Sequence, residues 1–212
     1  MKIIIDSQDD LISIKEGNLS NTILEQIEPL LYSSGKMIEE ISFNEESLDE
    51  EDIETTCAEK NFTDSDVLTI KTKPLLDHLL LIIDSIDSCL VKAEEDAIEI
   101  AENILKTDNT DAMNKLAEWS GEISELIINL DNFLRTFNID LQGFKLNNKE
   151  FNEAIQEVSG FLNEINSAIE GSDKTTIADL IEFEVSPIIT GLKELMPIFK
   201  TRLKDVFEKA KE

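Results

Sequence analysis

Pro74–Thr107 reads PLLDHLLLIIDSIDSCLVKAEEDAIEIAENILKT, and the fold is decided here. Leu76, Leu79, Ile83, Ile86, Leu90, Ala93, Ala97, Ile100 and Ile104 follow one another in steps of three and four residues. Those steps place every one of them on the same side of an α-helix. Pro74 suits a first helical position, where its missing N–H costs nothing, and no Gly or Pro follows until Gly121. At 1.5 Å per residue the stretch predicts a rod of roughly 50 Å, which other helices must cover along its stripe. Leu75, Leu80, Leu81 and Ile82 lie off that stripe, so Leu79–Ile83 is apolar all round. A helix apolar on every side is covered on every side, here by the N-terminal part of the chain or by a second copy. Leu80, Leu81 and Ile82 are therefore candidate interaction residues, and the burial they call for leads to the expectation of a homodimer.

The same period continues towards the C-terminus. A second helix carries Leu116, Trp119, Ile123, Leu126, Leu130, Phe133 and Phe137, with Ile127, Ile128 and Leu134 outside the stripe. Ile127 and Ile128 join the candidate interaction residues. Asn138–Asn147 reads as a loop whose Leu141, Phe144 and Leu146 tuck under the helices, and Asn147 or Asn148 reads as the cap of a third helix. That helix carries Phe151, Ile155, Val158, Leu162, Ile165 and Ile169; its interior Gly160 suggests a close helix contact. Gly171-Ser172-Asp173 ends it and caps a fourth, in which Pro187 and Pro197 predict kinks. Helices at about 74–107, 110–138, 148–170 and 175–211, joined by short links, predict an antiparallel four-helix bundle over 74–212.

Residues 1–73 read differently. Lys2–Asp6 and Leu11–Lys15 are β-prone runs around a turn at SQDD. Asn18 or Ser20 caps a helix bearing Leu19, Ile23, Ile27, Leu30 and Leu31, which Gly35 stops and Pro29 disturbs. Met37–Phe43 and Val67–Lys71 alternate as further strands. This order of hairpin, helix, strand and strand resembles the β-grasp (ubiquitin-like) fold over residues 1–73. In the small sulfur carriers of that fold the chain ends in Gly-Gly, whereas here Thr72-Lys73-Pro74 runs on into a helix, so the resemblance implies a binding module and no carrier chemistry. The expected fold class is α+β, predominantly α: a small β-grasp-like module followed by the bundle.

A formal charge of −27, from 46 acidic and 19 basic residues, repels phosphate, so neither nucleic acid nor an anionic membrane is an expected partner. The densest acid is Glu45, Glu46, Asp49, Glu50, Glu51, Asp52 and Glu54, which predicts a solvated acidic loop over 45–64; it lacks the alternating oxygen ligands and the Gly of a calcium loop. Cys89, between Ile86 and Leu90, reads as a small buried hydrophobe, and Cys57, in a polar stretch, as exposed; a reducing compartment suits both. The opening MKIIIDSQDD reaches acid within six residues, unlike a signal peptide, and no apolar run approaches the ~20 residues of a membrane span. Localisation is expected to be cytoplasmic. Lys far outnumbers Arg (only Arg135 and Arg202), and Ile and Asn are frequent, as in AT-rich bacterial genomes.

No catalytic, metal or cofactor site is expected. His78 is the sole histidine, too few for the paired Glu-x-x-His of a di-iron bundle or for a Cys/His zinc site, and its leucine-rich surroundings do not suit a Ser-His-Asp triad. No phosphate-binding glycine loop or nucleophile elbow occurs. Asp179, Glu182 and Glu184 precede Pro187 in an apolar helix; Glu184 falls where the stripe expects a core residue and is a candidate buried carboxylate that either pairs with a lysine of another helix or reaches the bundle end where the kink opens the backbone. The expected function is a non-enzymatic protein–protein interaction module: an adaptor, chaperone or regulator with a strongly acidic surface. Two rival readings are a nucleic-acid mimic that inhibits a basic DNA-binding protein and a carboxylate-metal enzyme.

Overall fold

The computed structural model describes residues 1–9, 18–49, 53, 55, 57, 61–106, 110–137 and 139–209. It is mostly helical, at 69%, with a small mixed sheet, and the fold class is α+β, predominantly α. The chain divides into two compact units, Met1–Leu80 and Leu81–Glu212.

Among its described residues the first unit holds five strands: β1 (Lys2–Ile5), β2 (Gln8–Asp9), β3 (Lys36–Phe43), β4 (Glu46–Leu48) and β5 (Val67–Pro74). Their order across the sheet is β2-β1-β5-β3-β4, with β1 parallel to β5 and every other pair antiparallel. Between β2 and β3 runs a helical segment in three parts, α1 (Leu19–Asn21), a π-helical turn (Thr22–Ile27) and α2 (Glu28–Ser33). Its Leu19, Ile23 and Ile27 share one core with Ile3, Leu68 and Ile70 of the sheet. Asn18 is the cap, its Oδ1 accepting from Asn21 N at 3.2 Å, and Gly35 leaves the helix at φ +72°.

Several expectations for this unit need correction. The turn between β1 and β2 is Asp6–Ser7, both at positive φ, so Gln8 and Asp9 already pair with Ile5 and Ile4. The expected strand Leu11–Lys15 lies outside the described residues. In β3 the alternation breaks at Met37-Ile38 because Glu39 is a bulge, the register passing from Ile38–Thr72 to Glu40–Lys71. Pro74 is the last residue of β5, opposite Lys36, and the helix starts one residue later with Leu75 N donating to Gly35 O at 2.9 Å. The acidic stretch 45–64 is more than a loop. It opens with β4 behind a turn at Asn44–Glu45, and its Leu48, Ile53, Cys57 and Phe62 all enter the core. Cys57 is buried and Cys89 exposed, the reverse of expectation, because Cys57 anchors this core while Cys89 sits one position off the helix stripe.

The helical unit contains most of α3 (Leu75–Ile104), then α4 (Thr110–Thr136), a short hairpin of β6 (Lys145–Leu146) and β7 (Lys149–Glu150), and α5 (Phe151–Glu170). The last run is not one helix but α6 (Lys174–Asp179), a π-helical turn (Leu180–Val185) and α7 (Ser186–Lys209). Polar bonds give the helix directions. Lys92 pairs with Glu122 at 3.3 Å and Glu99 with Lys115 at 2.6 Å, so advancing along α3 retreats along α4. Asp84 pairs with Lys200 and Glu94 with Lys193, so α7 is antiparallel to α3 as well. Asn147 and Asn148 are not caps but the turn of the β6–β7 hairpin, at φ 50° and 65°, and α5 begins after Glu150. Leu146 tucks in as expected, against Gly191, where a Cβ would lie 2.9 Å from its Cδ2. Gly160 marks no close contact, since a Cβ there would meet nothing within 4 Å.

Both π turns sit immediately before a proline step. Glu28 N bonds to Ile23 O ahead of Pro29, and Ser186 N to Ile181 O ahead of Pro187. Proline lacks an N–H and its ring presses on the carbonyl four residues back; opening the turn to an i→i−5 bond relieves that pressure. The helix α7 runs on through Pro197.

Candidate interaction surface

The helix α3 explains the surface because its faces have different tasks. Leu79, Ile83, Leu90, Ala97, Ile100 and Ile104 are buried, as their spacing requires. On the flank towards α4, Trp119 Nε1 donates to Ala93 O at 2.9 Å between the two lysine pairs. On the flank towards α7, Glu94 accepts from Lys193 and, at 2.5 Å, from Thr190 Oγ1. Lys193 first and Thr190 second hold the Glu94 carboxyl below its ordinary range. The Glu99 carboxylate likewise raises the Lys115 ammonium.

Of the candidate interaction residues, Leu81 and Ile128 stand exposed at 65% and 56%. Leu80 and Ile82 are half-buried, and Ile127, at 7%, belongs to the core of α4. Ile127 is therefore covered within the chain, and of the three residues that led to the expectation of a homodimer Leu81 is the most exposed. In the acidic stretch Glu45, Glu46 and Asp49 are exposed, while Glu50, Glu51, Asp52 and Glu54 lie outside the described residues. Glu184 is half-buried; the Lys149 ammonium is raised chiefly by its hydrogen bond to Glu157, with smaller contributions from the charges of Glu157, Glu153 and, last, Glu184. Asp179 and Glu182 are exposed, and His78 is half-buried.

A further set emerges only from the structure. Val91, Ile98 and Leu105 are exposed at 39%, 58% and 57%, and Phe183, in the second π turn, at 59%. Val91, Ile98 and Leu105 recur every seven residues, a signal present in the sequence but passed over when α3 is read for one stripe only. Two open clefts accompany these surfaces. One of about 590 Å³ lies at the end of α4, by Arg135, Asp140, Gln142 and Asn152; the other, of about 300 Å³, runs between α3 and α4 by Cys89, Lys92, Glu122 and Leu126. Among the described residues no three His, Cys, Asp or Glu side chains are grouped to hold a metal, and no helix is long and apolar enough to cross a membrane.

Comparison with curated proteins gave no match, and comparison with solved structures gave none either. The family model described as a domain of unknown function (DUF8042) matches residues 81–195, starting where the helical unit starts. That match spans more than half of the chain, which belongs to this family.

Proposed function

We propose that the chain is a non-enzymatic protein–protein interaction module of the cytoplasm, an adaptor, chaperone or regulator that meets its partner with an acidic, helical surface. In this reading residues 1–73 are a β-grasp-like module and 74–212 an antiparallel four-helix bundle whose fourth helix is interrupted before Pro187. The strand order β2-β1-β5-β3-β4, with its parallel β1–β5 pair and one helical segment against the sheet, supports the first assignment. The antiparallel lysine–carboxylate pairs from α3 to α4 and to α7 support the second.

The observation that carries the functional reading is the exposure of large apolar side chains on α3 and α4 of a chain with charge −27. Scattered apolar residues on a surface need no explanation, but a set aligned on one helix does. Crosslinking in the native host followed by mass spectrometry tests it. One or a few proteins recovered reproducibly, in amounts comparable to the chain itself, are expected. Recovery of none would refute the reading, and a dominant basic DNA-binding protein would move it towards nucleic-acid mimicry.

A further inference from the structure

We propose that α3 carries a docking face for a basic amphipathic helix of a protein partner, centred on Val91, Ile98 and Leu105. The proposal rests on the interaction-module reading and gives that module its surface and the chemistry of its partner.

Spacing comes first. Residues seven apart on a helix stand two turns apart in one row, so Val91 and Ile98, with Leu105 just past the helix end, form an apolar line roughly 20 Å long. The core stripe of α3 is complete without them, through Leu90, Ala97 and Ile104. The helix thus has a second apolar row, which the folded chain leaves in water. A helix of about four turns with apolar residues at i, i+3 or i+4 and i+7 matches that length.

Charge then selects the occupant. Glu95 and Glu102 border the row on one side, Asp87 and Glu94 on the other. Glu94 is tied to Lys193, but among the described residues Asp87, Glu95 and Glu102 take part in no ion pair. The lysines near the row are engaged elsewhere: Lys92 with Glu122, Lys115 with Glu99, Lys193 with Glu94 and Lys200 with Asp84, while Lys106, beside Leu105, donates to Asn103 Oδ1 at 3.1 Å. A second copy docked on this row would set these acids against their equivalents, and an anionic lipid surface would meet the same repulsion. A helix with Lys or Arg beside its apolar line covers the row and neutralises both borders.

The test uses the full chain and a fluorescein-labelled peptide of about 18 residues, with leucines in one helical row and lysines beside them. The control is a scrambled peptide of the same composition. Fluorescence anisotropy at physiological salt is expected to show the amphipathic peptide binding at least about tenfold tighter than the scramble. The double change Val91→Glu, Ile98→Glu is expected to weaken it about tenfold or more, while Leu81→Glu with Ile128→Glu leaves it unchanged. Far-UV circular dichroism confirms that each variant is folded. A second pair, Glu95→Lys with Glu102→Lys, keeps the apolar row and is expected to exchange preference towards a peptide with glutamates beside its leucines. Equal binding of the scramble, or indifference to both pairs of changes, would overturn the proposal. So would a dimer in sedimentation velocity that Val91→Glu, Ile98→Glu dissociates. A cellular partner that crosslinks equally to that variant would overturn the row while leaving the interaction-module reading intact, whereas a parent chain without any partner would remove the reading beneath it.

Discussion

Replacing Trp119 by Phe probes the junction on which the helical unit depends. Trp119 is the sole tryptophan, is 2% exposed, and joins α4 to α3 through the 2.9 Å bond from Nε1 to Ala93 O. Phenylalanine keeps an aromatic ring but deletes the donor. The lost bond contributes about 1 kcal/mol, and the carbonyl it leaves keeps a second lone pair for its own helix, so no fully orphaned acceptor is added. Shrinking indole to phenyl removes roughly 40 Å² of buried apolar area, or about 1 kcal/mol. The void left behind contributes ~0.5–1 kcal/mol more where the surroundings do not collapse. Trp119→Phe is therefore expected to destabilise the helical unit by about 2–3 kcal/mol. The assay is urea unfolding followed by far-UV circular dichroism, since the variant has no tryptophan fluorescence. In the parent, Trp119 fluorescence identifies which transition belongs to the helical unit, a necessary step for a chain of two units. A loss below about 0.5 kcal/mol would refute the reasoning, because neither the bond nor the burial would then be contributing.

Ser120, 8% exposed in α4, has a hydroxyl with no hydrogen-bond partner among the described residues; Ser120→Ala should stabilise by up to about 1 kcal/mol in the same urea assay, and a loss instead would reveal a bonded hydroxyl. In the first unit Asp6 ties three strands together, accepting from Lys36 Nζ at 2.8 Å, Thr72 N at 2.8 Å and Thr72 Oγ1 at 2.7 Å, and these bonds, Lys36 foremost, lower its pKa to about 2. A lowered carboxyl pKa stabilises fully above the ordinary value near 4 and loses that contribution as pH falls towards 2. Asp6→Asn tolerates the positive φ and keeps an acceptor, so it isolates the charge. With the side chain a third exposed, the expected cost at pH 7 is about 1 kcal/mol, vanishing by about pH 2; a cost independent of pH would refute the assignment to the carboxylate.

Much of the fold is legible in the sequence because burial on one face imposes a period. The α3 stripe from Leu79 to Ile104 is buried residue by residue, and the caps at Asn18 and Asp173 each hold the backbone N–H three residues on. What escapes reading is structure built from two or three residues. Asn147-Asn148 reads equally as a helix cap or as a turn at positive φ, and only the pairing of Lys145 with Glu150 decides. Leu48, Ile53, Cys57 and Phe62 are too sparse among acids to register as core, yet each is an anchor once the sheet supplies a surface. On the candidate surface, Leu81 and Ile128 are legible as apolar residues off a stripe. Ile127 differs from Ile128 by a single 100° step, enough to carry it into the buried arc beside Ile123 and Leu130.

The distribution of charge around α3 gives the outer row its meaning. Towards the rest of the helical unit, three acids of α3 pair with lysines of neighbouring helices, Asp84 with Lys200, Glu94 with Lys193 and Glu99 with Lys115, so those carboxylates contribute to the packing of the unit. Among the described residues the acids Asp87, Glu95 and Glu102 contribute no such bond, and they add to the self-repulsion of a chain at −27. Val91, Ile98 and Leu105 beside them forgo burial that comparable side chains elsewhere on the helix obtain, at roughly 1.5–3 kcal/mol for each fully buried residue. Neither feature stabilises the isolated chain, and solubility explains the acids without explaining the apolar row. One occupant removes both penalties together: a surface that is apolar along its centre and basic along its edges.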